Sequence, residues 1–327
     1  MKRTLILLAA VILVAGMHFS LARRTRAAEP AGVTRPPIVG VAHIGLYVSD
    51  LARSREFFGH VLGFADAFSL DKPSGGLMLT DFKVNDHQYI QLFPGLASPT
   101  TDRLSHIAFE TTDARQLRAY LAAHGVKVPA ELKKGQDGNL SFMVRDPAGH
   151  NVEFVQYLPG SIIEKDWGKD MPATRIGKRI IHVGETVNDR AAADTFYKDI
   201  LGFHEIWEGG MKDSVTDWVD MQVPNGTDWL EYMLNVHNPS PRTRGVMNHL
   251  AIGIQNHEVA YKKVLARGYK PPEPPKIGRD GKWQLNLYDP DLTRAEVMEF
   301  KPVEPPCCSP MILGPGDVIQ PARPKPR

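Results

Sequence analysis

Between residues 39 and 301, short strand-period runs, each followed by a helix-period stretch and further strands, recur four times. The first run, Val41-Ala42-His43-Ile44-Gly45-Leu46-Tyr47-Val48, places Ile44, Leu46 and Val48 on one face and His43, Gly45 and Tyr47 on the other. From Asp50 the period becomes helical. Leu51, Phe57, Phe58, Val61 and Leu62 share a face, with Asp50 as N-cap and Gly63 as the stop. Strands are expected over 65–70, 77–84 and 88–93. A strand at His106 then leads to a helix over 114–124, a faint strand, and strands over 140–144 and 151–157. The pattern predicts two βαβββ units per domain.

A second block repeats the first. His182 lies 139 residues after His43, Glu231 140 after Gln91, His249 143 after His106, and Glu296 143 after Glu153. Such constant offsets mark an internal duplication. The expected domains are 39–158 and 179–301, joined by a linker over 160–178. A tail over 302–327 with eight prolines should be extended or disordered.

The repeat brings chemistry with it. His43, His106, His182 and His249 open strands, while Gln91, Glu153, Glu231 and Glu296 stand on closing strands. Two imidazoles and a carboxylate suit a divalent ion such as Fe(II), Mn(II), Ni(II) or Zn(II), with Glu231 or Gln91 as a further oxygen ligand. Gly45, Ala108, Gly184 and Ala251 follow each histidine by two residues and leave a hollow where a ligand would sit. A lone histidine at a strand start is more often a packing residue, and only the fourfold recurrence argues otherwise. His204, Trp207, Trp229 and Tyr232 are weaker candidates for lining the second cup, and Glu299 should point away from it.

Composition narrows the classes. The chain is 43% hydrophobic and 23% charged with net charge +2, so it lacks the basic excess that nucleic-acid binding needs. Residues 1–28 read as a signal peptide: Lys2-Arg3, the apolar run Leu5 to Met17, and Ala27-Ala28 before the cut. Export to the periplasm or exterior is expected. A retained membrane anchor is the alternative, because Arg23, Arg24 and Arg26 precede the cut. The two cysteines, Cys307 and Cys308, are adjacent and staple nothing together; they read as thiols in a tail, or as a soft-metal or interchain pair.

The segments His43-Ile44-Gly45-Leu46-Tyr47-Val48, Phe57-Phe58 with Leu62-Gly63-Phe64, and Asp146-Pro147 or Asp289-Pro290 followed by a glutamate resemble the vicinal oxygen chelate superfamily. That superfamily includes glyoxalase I, extradiol dioxygenases, methylmalonyl-CoA epimerase and bleomycin-resistance proteins. The resemblance implies an α+β fold of tandem vicinal-oxygen-chelate domains, each a curved mixed sheet. It implies facial triads of His43, His106 and Glu153, and of His182, His249 and Glu296, with Glu231 as fourth ligand and catalytic base. The second set is expected to be the better site because of that extra carboxylate. The implied activity is that of a metal-dependent lyase or isomerase whose divalent ion is a Lewis acid on a small substrate chelated through vicinal oxygens. The alternatives are an Fe(II) extradiol-type dioxygenase and a metal-free binding or resistance protein. The dioxygenase pattern is broken where its histidine and tyrosine would fall: Asp280 and Asn286 stand there, with Asp137 and Met143 in the first half. Oligomeric state is left open.

Overall fold

The computed structural model describes residues 32–98 and 100–312. The expected signal segment and the end of the tail lie outside the described residues. The first half runs β1 (Ile38–Val48), α1 (Leu51–Arg55), β2 (Ala65–Asp71), β3 (Leu77–Asn85), β4 (Gln88–Pro94), β5 (Leu104–Thr111), α2 (Ala114–Ala123), β6 (Lys133–Lys134), β7 (Leu140–Arg145) and β8 (Asn151–Gln156). After α3 (Ile162–Lys165), the second half runs β9 (Ile180–Thr186), α4 (Arg190–Ala193), β10 (His204–Gly209), β11 (Trp218–Gln222), β12 (Trp229–Met233), α5 (Pro241–Met247), β13 (His249–Ile254), α6 (His257–Ala266), β14 (Lys276–Ile277), β15 (Trp283–Tyr288) and β16 (Arg294–Glu299). The faint strands are the two-residue β6 and β14. Each half forms one eight-stranded mixed sheet, in the orders β2-β3-β4-β1-β5-β8-β7-β6 and β10-β11-β12-β9-β13-β16-β15-β14. The fold is α+β, two βαβββ units per half, as the pattern predicts.

The helix after β1 differs in one respect. Asp50 caps it by accepting from Arg53 N, and Gly63 ends it at φ +79°. Between them, residues Glu56–Val61 wind as a π-helix, with Leu62 N donating to Phe57 O at 2.9 Å. The wider turn lets adjacent residues face the core together: Phe57, Phe58, Val61 and Leu62 are all buried. The same winding recurs over Asp194–Ile200, where Phe196 and Tyr197 are both buried. An ideal α-helix, which the spacing suggested, would set the members of each pair about 100° apart around the axis, and the π turn brings them closer together.

The two halves share one core. Phe109 of β5 meets Phe203 edge to face at 5.2 Å between ring centroids, Phe57 meets Tyr269 at 5.7 Å, and Tyr120 donates to Ile200 O. The linker is folded rather than loose. Buried Lys83 pairs with Asp166 at 2.8 Å, and Arg175 donates to Val84 O. Residues 302–312 form no helix or strand and bend repeatedly, but they are anchored. Val303 and Cys307 donate to Gly281 O and Arg279 O in the turn after β14, and Trp207, Glu208 and Ile206 of β10 bind Cys307, Ser309 and Ile312. The strap therefore links the two free edges of the second sheet. Cys307 and Cys308 are joined to each other within it, which corrects the expectation of separate thiols.

Candidate metal centres

The sheet register decides how the histidines meet. Along the β1–β5 pair, His43 stands opposite Ala108 and Gly45 opposite His106. Along β9–β13, His182 stands opposite Ala251 and Gly184 opposite His249. Each small residue thus makes room for the imidazole of the neighbouring strand. A Cβ on Gly45 would fall 2.5 Å from His106 Cε1, and one on Gly184 would fall 2.1 Å from His249 Cε1. The hollow expected for a ligand is filled by the partner histidine. Glu153 arrives from β8, paired with Ala108, and Glu296 from β16, paired with Ala251.

In the first half the donors converge. His43 Nε2 lies 3.0 Å from His106 Nε2 and 3.0 Å from Glu153 Oε2, and His106 Nε2 lies 3.2 Å from the same oxygen. Three donors at right angles about one ion, each about 2.1 Å away, would be about 3.0 Å apart. The triangle has that size on every side. Burial lowers the His43 pKa, keeping the ring neutral as a ligand must be. Burial works against the Glu153 charge, but hydrogen bonds from His106 and His43 outweigh it and hold the carboxyl well below its usual range. All three residues fit a divalent ion.

The second half does not fit one equally. His182 and His249 Nε2 are 3.0 Å apart, but Glu296 Oε2 lies 3.6 and 3.7 Å from them. Glu231 Oε2 is 3.1 Å from His249 and 3.9 Å from His182. Among them sits Arg294, whose Nη2 lies 2.6 Å from His249 Nε2 and 3.8 and 3.9 Å from the oxygens of Glu231 and Glu296. His249 Nδ1 lies 2.7 Å from Met247 O and donates to it, so Nε2 carries the lone pair, and the guanidinium takes it. A dication bonded to Nε2 would lie no more than about 5 Å from that guanidinium nitrogen, a repulsion of about 7 kcal/mol at an effective dielectric near 20. That approaches the whole binding free energy of a structural zinc site, about 10–16 kcal/mol. His182 Nδ1 is buried without a hydrogen-bond partner, whereas a metal-bound imidazole ordinarily donates from its second nitrogen. Burial and Arg294 push His249 down to about 3, while Arg294 and His182 outweigh burial and hold Glu296 at about 2. Burial raises Glu231. In the first half Asn151 occupies Arg294's place, and its amide donates to Ser105 O at 2.8 Å rather than to a triad donor.

Sequence reasoning missed three more polar residues. Asp81 on β3 pairs in register with Gln91, and its counterpart Asp220 pairs with Glu231. Burial pushes both carboxyls well above the usual range, and each keeps a buried oxygen without a hydrogen-bond partner. The missed signal was an aspartate inside an apolar strand in both repeats. Lys282, fully buried, lies 4.4 Å from the Trp229 ring and 3.8 Å from Asp280. Burial lifts Asp280 to about 6. Of the weaker candidates, Trp229 lies beside His182 at 5.1 Å, whereas Tyr232 packs in the core against Tyr197. Trp207 is bound by the strap, and His204 pairs with Gln222. Glu299 faces away and accepts from His257.

A family model described as the Glyoxalase/Bleomycin resistance protein/Dioxygenase superfamily matches residues 40–154 and 179–297. The chain belongs to that superfamily. Homoprotocatechuate 2,3-dioxygenase from Brevibacterium fuscum, in an anaerobic complex with 3,4-dihydroxyphenylacetate, aligns at TM-score 0.60 and 20% identity, covering 83% of each chain. The enzyme of the same name from Arthrobacter globiformis aligns at TM-score 0.60 and 20% identity, over 83% of this chain and 82% of that one. A curated relative, virulence protein STM3117 of Salmonella typhimurium, is 28% identical over 122 residues, 36% of this chain and 84% of its own length. The two structural likenesses speak for the superfamily fold and leave chemistry to the residues.

Proposed function

We propose that this superfamily member is an exported, metal-dependent enzyme acting on a small molecule through two vicinal oxygens, with its working centre in the first half. The observation that carries the reading is the near-equilateral triangle of His43, His106 and Glu153. When bound there, a divalent ion supplies a Lewis acid to neighbouring substrate oxygens. The imidazoles of His43 and His106 and the ionised Glu153 would hold it. Gln91, beside this triad, cannot take up a proton; the counterpart that can, Glu231, is in the second cup between His249 and Arg294. We place proton transfer on Asp81, which pairs in register with Gln91 in the same half and whose pKa burial raises well above the usual range. Lyase or isomerase chemistry is the favoured class. In the first half Asp137 and Met143 stand where the dioxygenase-type histidine and tyrosine would fall, as Asp280 and Asn286 do in the second.

Elemental analysis of the anaerobically purified chain tests the reading. One equivalent of Fe, Mn, Ni or Zn is expected, lost in His43→Ala and retained in Glu296→Ala. Arg294→Asn, which copies the first half, should raise it to two. A wild-type chain that takes up no ion on reconstitution sinks the metal enzyme in favour of a binding protein. Iron with oxygen uptake on catechols would shift the class to dioxygenase. Export rests on the Lys2 to Ala28 pattern, and fractionation that leaves the full-length chain in the cytosol would refute it.

A further inference from the structure

A cavity of about 690 Å³ lies where the β3–β4 hairpin, the linker and α6 meet, and no member of either histidine set lines it. That volume is typical of small-molecule sites, about 300–1,000 Å³. Its apolar wall is built from Met171, Ile176, Ile254, Val259 and Phe300. Its polar side is cationic: Arg175, Lys178, Arg179 and Lys263 line it, against the carboxylates of Asp86 and Asp228. Both acids are already engaged, Asp86 by Lys83 at 2.9 Å and Asp228 by Arg179 at 2.6 Å. Lys263 donates to a backbone carbonyl, Arg175 O, and its ammonium is pushed down by burial and by neighbouring Arg267 and Lys178. Two lining residues, His87 and Arg179, carry buried nitrogens with no hydrogen-bond partner. His87 gives Nδ1 to Glu110 at 2.9 Å and leaves Nε2 open, and Arg179 leaves Nη1 open.

An apolar wall beside an excess of cations, with buried nitrogens left open, is a receptor for an acidic head on an apolar body. We propose that this seam cavity binds an amphipathic organic anion, a monocarboxylate with an aliphatic or aromatic tail, and that the ligand bridges linker and both halves. The site is independent of the ion and of the first-half triad.

Isothermal titration of the full chain with sodium octanoate tests the assignment, with octylamine and octanol as controls. Saturable one-to-one binding of octanoate alone is expected. Lys178→Glu/Lys263→Glu should weaken it at least tenfold. Val259→Trp, which fills the cavity from an exposed position without changing charge, should do the same. His43→Ala should bind octanoate as the wild type does. Octanol or octylamine binding equally well, or both cavity variants retaining wild-type affinity with intact circular dichroism, would overturn the proposal. Loss of binding in His43→Ala would also overturn it, by moving the ligand to the triad.

Discussion

Two substitutions separate the cups, Gln91 against Glu231 and Asn151 against Arg294, and the second matters more for the ion. The halves share their histidines, their glutamate and their buried aspartate, yet Arg294 lies on His249 Nε2 where Asn151 bonds to the Ser105 carbonyl instead. An arginine stays charged at any accessible pH, so it behaves as a fixed positive group among the donors. At the same scale, Asp81 has a separable role. Asp81→Asn keeps the shape and removes the proton, so turnover should fall about 10²- to 10⁴-fold with metal content unchanged. The wild-type rate should fall as pH rises through the elevated Asp81 pKa, since the acid must hold its proton. Equal metal and equal turnover in the variant would remove Asp81 from the mechanism. The ligand set was legible in the sequence because it recurs at fixed offsets. Arg294 was not, because its importance comes from a side-chain reach that spacing does not encode, and Asp81 was hidden inside a strand read only for its apolar face.

At the scale of elements, register is what assembles the centre. Strands and caps could be read from alternation, Asp50 and Gly63 because local chemistry determines them. The pairing of β1 with β5 could not, since it depends on partners 58 or more residues away. The π turns after α1 and α4 were hidden for a related reason: adjacent aromatic pairs signal burial but not the winding that achieves it. Gly45→Ala follows from the register. The added methyl would collide with the His106 ring, which must tilt and leave the triangle. Overpacking of this kind costs about 1–3 kcal/mol. Thermal melting should show that loss, and metal affinity should drop at least tenfold. Wild-type affinity would mean that His106 is not a ligand.

For the whole molecule, the seam between halves contains a titrating cluster. His150 and Asp146 of the first half meet Glu185 of the second at 3.3 and 3.4 Å from His150 Nδ1, with Tyr197 donating to Glu185 at 2.8 Å. Burial opposes the imidazolium, but Glu185 and Asp146, with Asp102 farther off, hold its pKa up at about 9. Burial lifts Glu185 to about 8. A histidine raised in the folded state stabilises fully below its unfolded value near 6.5, and the benefit is lost as pH climbs through about 9. A carboxyl raised in the same way adds loss in the same direction between about 4.5 and 8. Melting temperature should therefore fall from pH 6.5 to 9, and His150→Gln should flatten that slope. An unchanged slope would place the titration elsewhere.

The interlocking of rings and missing side chains across β9 and β13 has a further meaning for the second cup. Each imidazole there is masonry as well as a donor: it occupies volume that Gly184 or Ala251 leaves vacant. Removing one would open a void in a close-packed layer whether or not an ion had ever been held. A half that has surrendered its ion to a guanidinium would thus still keep its histidines, for reasons of solid geometry alone.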